Sequence, residues 1–176
     1  MPKIIENVRE RAISLARDLL IREGYAALTV RRVATSMGIA PATIYNYFPS
    51  KDNLIACIML EDWQKLMAEF EENNSGHKSP EDICRALFST VHSFSQTYVD
   101  SWNDHKTDEQ SISMRRHYHP LLVEQLNRHI LRSLNPERAK EEPWLSPFLA
   151  DLILRFGSDG ETDYVKIEPA IKKLLK

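Results

Sequence analysis

The chain has 176 residues, 43% of them hydrophobic and 27% charged, with a formal net charge of −2, the profile of one ordinary globular domain or of a small one joined to a larger one. Five glycines are few for a fold built on tight β-turns, no apolar run approaches the ~18–20 residues of a membrane-crossing helix, and the N-terminal MPKIIENVRERA lacks the apolar core of a secretory signal, so no membrane partner is expected and the expected compartment is the cytoplasm. The charge is uneven: residues 1–51 hold eight Lys/Arg against four Asp/Glu, a net of +4, and the remaining 125 residues carry −6, which gives the head the sign of a polyanion's partner.

Ile5, Val8, Ala12, Leu15, Ala16 and Leu19 recur at helical spacing, which predicts a first helix of about five turns ended near Gly24 by a left-handed terminator. Thr29 can cap a second helix, residues 30–37, with Val30, Val33, Ala34 and Met37 inward and Gly38 as its stop. Pro41 suits the first position of a third short helix running to about Phe48, because no N–H is needed there. Two helices joined at a tight Gly38-Ile39 turn make a helix-turn-helix pattern. Ser50 then caps a long fourth helix through Leu54, Ile58, Trp63, Leu66 and Phe70.

The polar stretch 72–82 reads as a linker, and Ser79 can cap a helix from about 80 to 102 that buries Ile83, Leu87, Val91, Phe94 and Tyr98. Residues 106–118 and 120–134 are predicted as two further helices separated at Pro120, and 135–143 as a charged loop. Leu145, Phe148, Leu149, Leu152, Ile153 and Phe156 form the cleanest apolar stripe of the chain. A last helix over 161–175 contains Pro169, which implies a kink or a restart there. The chain therefore reads as all-α, with about nine helices. Cys57 and Cys84, the only cysteines, lie far apart without a CxxC pairing, which favours two buried thiols over a zinc or redox site. His117 and His119 stand two apart on a predicted helix and point in different directions, so no metal is expected on them. No nucleophile–base order, Gly-rich phosphate loop or HExxH is present, so neither a cofactor nor an enzymatic activity is expected.

One segment is unusual. Within GIAPATIYNYFPSKDNL, residues 38–54, Tyr45 and Tyr47 lie two apart and cannot share a helical face. The surrounding EGYAALTVRRVATSMGIAPATIYNYFPSKDNLI, residues 23–55, resembles the N-terminal domain of TetR/AcrR-like bacterial transcriptional regulators. Gly24-Tyr25, Thr29-Val30, Val33-Ala34, Gly38, Thr43-Ile44-Tyr45 and Tyr47-Phe48-Pro49-Ser50-Lys51 carry that resemblance without a gap. It covers about the first third of the chain. It implies a three-helix DNA-binding domain over residues 1–50 and an effector-binding and dimerisation domain over 51–176. It also implies a homodimer on a palindromic operator, released by a small-molecule effector. The sequence departs from the family at Ala40, where serine is frequent, and at Asn53, where an acidic residue often completes a capping box with Ser50.

The residues assign roles within that frame. A recognition helix docks its N-terminal end near base edges, and here that end is Ala40-Pro41-Ala42, which can touch thymine methyls but offers no side-chain hydrogen bond. Hydrogen-bonded base readout then falls to Asn46, Tyr45 or Arg31, with DNA shape as a further contributor. Phosphate contacts are expected from Thr29 and Thr43 at helix starts, from the Tyr47 hydroxyl and from Lys51. Thr29 also has a plain role as a cap, and Arg32 as a solvated or salt-bridged surface residue. For the effector, Trp63, Phe94, Tyr98, Trp102, Met114 and His117 are candidates to line an apolar pocket, each with plain core as the alternative. The helices over 144–175 are the candidate dimer interface. The rival reading is a helical small-molecule-binding protein or enzyme with a vestigial DNA-binding domain, which acidic residues on the second and third helices would favour.

Overall fold

A computed structural model gives the fold; it describes residues 7–76, 78–103 and 109–176, with side chains described except at 99–103 and 109–117. Among the described residues there are nine helices and no strand. They are α1 (Val8–Ala27), α2 (Val30–Met37), α3 (Pro41–Tyr45), α4 (Lys51–Asn73), α5 (Pro80–Asn103), α6 (Glu109–Ser133), α7 (Pro136–Glu141), α8 (Leu145–Gly157) and α9 (Tyr164–Leu175). The chain divides into two compact units: Met1–Gln64 with Asp100–Gln110, and Lys65–Val99 with Ser111–Lys176. The division falls inside α4.

In the first unit, α2 and α3 pack on each other and on α1. The α1 stripe is rotated from the expected one. Ala12, Ile13, Ala16 and Leu20 are buried, whereas Leu15 and Leu19 are only half-buried. Ile13 and Leu20, seven apart, centre the stripe better than Leu15 and Leu19, because seven residues are close to two full turns. Gly24 interrupts α1 as expected, but at φ 80°, ψ 176° rather than in the left-handed helical region. The chain leaves the helix there, makes a single turn over Tyr25–Ala27 and closes it with Leu28 N–H donating to Tyr25 O at 3.2 Å. On α2 the buried set is Val30, Val33, Ala34 and Met37, and on α3 and its exit Ile44 and Phe48 are both fully buried. Each of these side chains larger than alanine contributes ~1.5–3 kcal/mol on leaving water, enough to fix the faces of helices too short to stand alone. α3 is shorter than expected, ending at Tyr45 in a turn closed by Phe48 N–H on Ile44 O at 2.9 Å.

In the second unit the core is built by Ile83, Cys84, Leu87, Phe88 and Val91 of α5 and by Leu126 and Ile130 of α6. Leu145, Leu149 and Ile153 of α8 and Tyr164, Ile167 and Ile171 of α9 complete it. α5 and α8 approach so closely that a Cβ on Gly157 would lie 2.9 Å from Val91 Cγ1.

Three expectations are corrected here. α6 runs unbroken through Pro120, and α9 continues through Pro169 as one helix, without a restart there. Both prolines are exposed, and apolar burial along these helices outweighs the lost hydrogen bond. The loop expected over 135–143 contains α7, whose N-terminus Asn135 caps by accepting from Glu137 N–H at 2.8 Å, with Pro136 at the first position. This short helix points Arg138 at the end of α9. There its guanidinium donates to the carbonyls of Leu174 and Leu175 while pairing with Glu142 at 2.9 Å, so it supplies partners to carbonyls the helix itself leaves open.

Candidate nucleic-acid interface

The geometry of the helix-turn-helix follows from caps at both ends of α2. Thr29 Oγ1 accepts from Arg32 N–H at 3.1 Å. Gly38 adopts φ 68°, ψ 33°, which turns its N–H and that of Ile39 back onto the last carbonyls of α2. α3 starts at once from Ala40-Pro41, and Ala40 makes no side-chain cap bond. With Ile44 and Phe48 turned into the core, the intervening residues are turned out. Tyr45 is 46% exposed and Tyr47 48%, large apolar surface that no core demand explains. Arg31, Pro41, Ala42 and Asn46 are exposed as well, Thr29 is exposed at the start of α2, and Thr43 and Lys51 are half-buried. All nine residues proposed from the sequence for DNA thus lie in the first unit: on α2 or α3, at the starts of α2 and α4, or, for Asn46 and Tyr47, in the turn that follows α3.

Electrostatics separate the cations of this unit. Arg32 is held by both carboxylate oxygens of Glu23, at 2.7 and 2.8 Å, and reaches Ala27 O at 3.3 Å. That hydrogen-bonded pairing holds the Glu23 carboxyl below its ordinary range and raises the Arg32 guanidinium. Arg9 and Arg17 are paired with Glu61, and Arg17 also with Asp62. Arg31, by contrast, has no ion-pair partner among the described residues and is exposed. Lys51, the first residue of α4, rests its ammonium 3.4 Å from the centre of the Tyr25 ring, and burial lowers its pKa. No acidic residue lies between Glu23 and Asp52. The Thr43 N–H already donates to Ala40 O at 2.9 Å, which leaves its hydroxyl as the group open to an anion.

Tyr25 and Asp52 take a place here that no role read from the sequence assigns to them. Tyr25 donates its hydroxyl to Asp52 Oδ1 at 2.6 Å while its ring receives Lys51. Their separation of 27 residues carries no periodicity that could have linked them.

The residues proposed for an effector fall on both units. Trp63, 1% exposed, belongs to the first. Phe94 and the buried Tyr98 belong to the second and lie with ring centres 5.2 Å apart. Trp102, Met114 and His117 lie outside the residues whose side chains are described. His119 faces Asp151 at 3.4 Å. Among the described residues no three His, Cys, Asp or Glu side chains gather as a metal site. The Cys84 thiol is pushed up to about 12, chiefly by burial, so it is not a ready nucleophile.

Residues 12–58 match the family described as bacterial regulatory proteins, tetR family. The HTH-type transcriptional regulator UidR of Escherichia coli K12 is 29% identical over 84 residues, which are 48% of this chain and 43% of UidR. The regulator HbdR of Aromatoleum sp. strain CIB is 27% identical over 89 residues, 50% of this chain and 39% of HbdR. The matched segment therefore spans less than half of these curated relatives. The fold is shared over far more of the chain. Salmonella enterica GusR superposes with a TM-score of 0.62 at 18% identity, covering 98% of both chains. FadR from Bacillus subtilis, solved in complex with stearoyl-CoA, superposes at 0.59 and 16% identity, covering 94% of this chain and 96% of that one. The resemblance read from residues 23–55 is thereby borne out, and with it the all-α architecture. No described helix is long and apolar enough to cross a membrane.

Proposed function

We propose that this chain, TetR-like over residues 12–58, is a transcriptional regulator that binds a palindromic operator as a homodimer and represses until a small-molecule effector releases it. Its work, on this reading, is done on DNA in the cytoplasm, and it is not an enzyme. The observation that carries the proposal is the surface of α2, α3 and the turn after it: Tyr45 and Tyr47 stand out into solvent, Arg31 and Asn46 are exposed, and there is no carboxylate among residues 24–51. The rival reading, a carrier or enzyme with a vestigial DNA-binding domain, has no reason to keep such a surface free of acidic residues.

In this assignment Pro41 and Ala42 lie against base edges and supply apolar contact. Asn46, Tyr45 and Arg31 are the groups able to hydrogen-bond bases. Tyr47, Thr29, Thr43 and Lys51 serve phosphates. The effector is apolar or partly so, held in the second unit by side chains such as Phe94 and Tyr98; the stearoyl-CoA bound by the FadR of B. subtilis supports an acyl or similarly apolar ligand for this fold. Self-association through about 144–175 is supported by Trp144 and Phe148 of the α8 start, 50% and 49% exposed, and by Val165 of α9 at 65%.

Selection of bound fragments from random-sequence duplex DNA tests the proposal. A palindromic consensus is expected, bound with an affinity that falls steeply as salt rises. Tyr47→Phe and Lys51→Ala are expected to weaken all sites alike. A flat salt dependence with no consensus would sink the reading. Wild-type affinity in both variants would remove the phosphate assignments alone.

A further inference from the structure

Gly24, Tyr25, Lys51 and Asp52 form a small device at the start of α4. Gly24, at φ 80°, lets the chain leave α1 sharply, and Tyr25 then spans to α4. Its ring receives the Lys51 ammonium at 3.4 Å, and its hydroxyl donates to Asp52 Oδ1 at 2.6 Å. Consecutive residues of a helix point about 100° apart, yet one side chain engages both. α4 itself is pinned at this point, because Asn53 N–H donates to Ser50 Oγ at 3.0 Å and Leu54 is fully buried.

The chemistry of the two contacts differs. A ring face attracts a cation without neutralising it, and leaves ammonium protons free for an anion. A neighbouring carboxylate neutralises it. Asp52 is the nearest acidic residue in the sequence to Lys51 and the one whose charge acts upon it. The Tyr25 hydroxyl gives the Asp52 carboxylate a hydrogen-bond partner other than the ammonium, and no Lys51–Asp52 contact pair forms among the described residues.

We infer that Tyr25 is a positioning residue for DNA backbone binding: its ring sets the place of the Lys51 ammonium, and its hydroxyl keeps Asp52 from closing a contact ion pair with that ammonium. The inference rests on the reading of the first unit as a DNA-binding domain. It adds a residue that contacts no DNA itself.

The test uses the full chain and sheared duplex DNA of mixed sequence, with affinity measured across a salt series. Wild type is expected to show a linear fall of log affinity with log salt, and Lys51→Ala to reduce that slope by about 0.9 for a lost phosphate contact. Tyr25→Leu is expected to reduce the slope by the same amount, and to add nothing further in the Lys51→Ala protein. Tyr25→Phe keeps the ring and frees Asp52, so it is expected to weaken binding about two- to fivefold, the scale of an exposed ion pair. Asp52→Asn should restore more binding in the Tyr25→Phe protein than it adds to wild type. A slope unchanged by Tyr25→Leu, additive losses with Lys51→Ala, or an equal gain from Asp52→Asn in both proteins overturns the inference. The Phe and Asn variants decide the matter if the Leu variant does not fold. Should wild type itself bind duplex DNA without salt dependence, the functional reading fails first, and the two failures are told apart by that control.

Discussion

His129 lies edge-on to the Phe70 ring, with centres 4.9 Å apart, and its environment makes the second unit sensitive to pH. Burial lowers its pKa from the ordinary 6.5, and Arg132 and Arg128 lower it further, while Glu71 acts in the opposite sense. The unfolded chain therefore binds the proton more readily than the folded one. The stabilisation is complete above pH 6.5 and is lost as pH falls through the folded value. The melting temperature is expected to drop between pH 7 and pH 5, and His129→Phe, which keeps an aromatic ring beside Phe70, to flatten the drop. Thermal melts at half-unit pH steps would show it; parallel curves for the two proteins would remove His129 as the cause. At the same scale, Arg31 and Arg32 illustrate what spacing can and cannot tell. Both leave the buried face of α2, as the sequence requires, but only coordinates reveal that Glu23 takes Arg32 and leaves Arg31 exposed.

Among the elements, α2 was the most legible in the sequence, because its cap, its apolar set and its glycine stop all agree. Gly38 carries that stop through its torsions alone, since a Cβ there would meet nothing within 4 Å. Gly38→Ala is accordingly expected to cost ~1–2 kcal/mol, the strain of a left-handed L-residue. Urea titration would read it as a lower midpoint at unchanged slope; a midpoint equal to wild type would mean the turn relaxes. Neither proline ends its helix, because the burial around it outweighs its local cost. In α9, Tyr164, Ile167 and Ile171 are buried on both sides of Pro169, and this packing keeps one helix. α7 was missed for the converse reason: NPERAKEE has no apolar stripe, and only its Asn-Pro start and the C-terminal carbonyls it serves explain a helix there. The outward turn of Tyr45 and Tyr47 was legible because two aromatics spaced two apart cannot both belong to one buried face. Pocket lining is not legible in the same way, because a side chain lining a cavity and one filling the core obey the same periodicity, and the buried Trp63 and Tyr98 fit either role.

For the molecule as a whole, the question is association. The α8 stripe serves its own core through Leu145, Leu149 and Ile153, all fully buried, but not through Phe148, which is 49% exposed with Trp144 edge-on beside it. Exposed aromatics side by side favour a partner surface. Light scattering is expected to give twice the 20.4 kDa chain mass, and Phe148→Glu to shift the population toward the single mass at micromolar concentration. A dimer mass untouched by that substitution would place the interface elsewhere. Finally, the crossing of α5 and α8 leaves no slack at Gly157, where any Cβ would press on Val91. The two positions are therefore not free to vary independently. A methyl at 157 is admissible only after 91 has shrunk, so one order of substitution passes through a sound protein and the other through a damaged one. Close packing at this one contact thus gives the chain's future changes a direction.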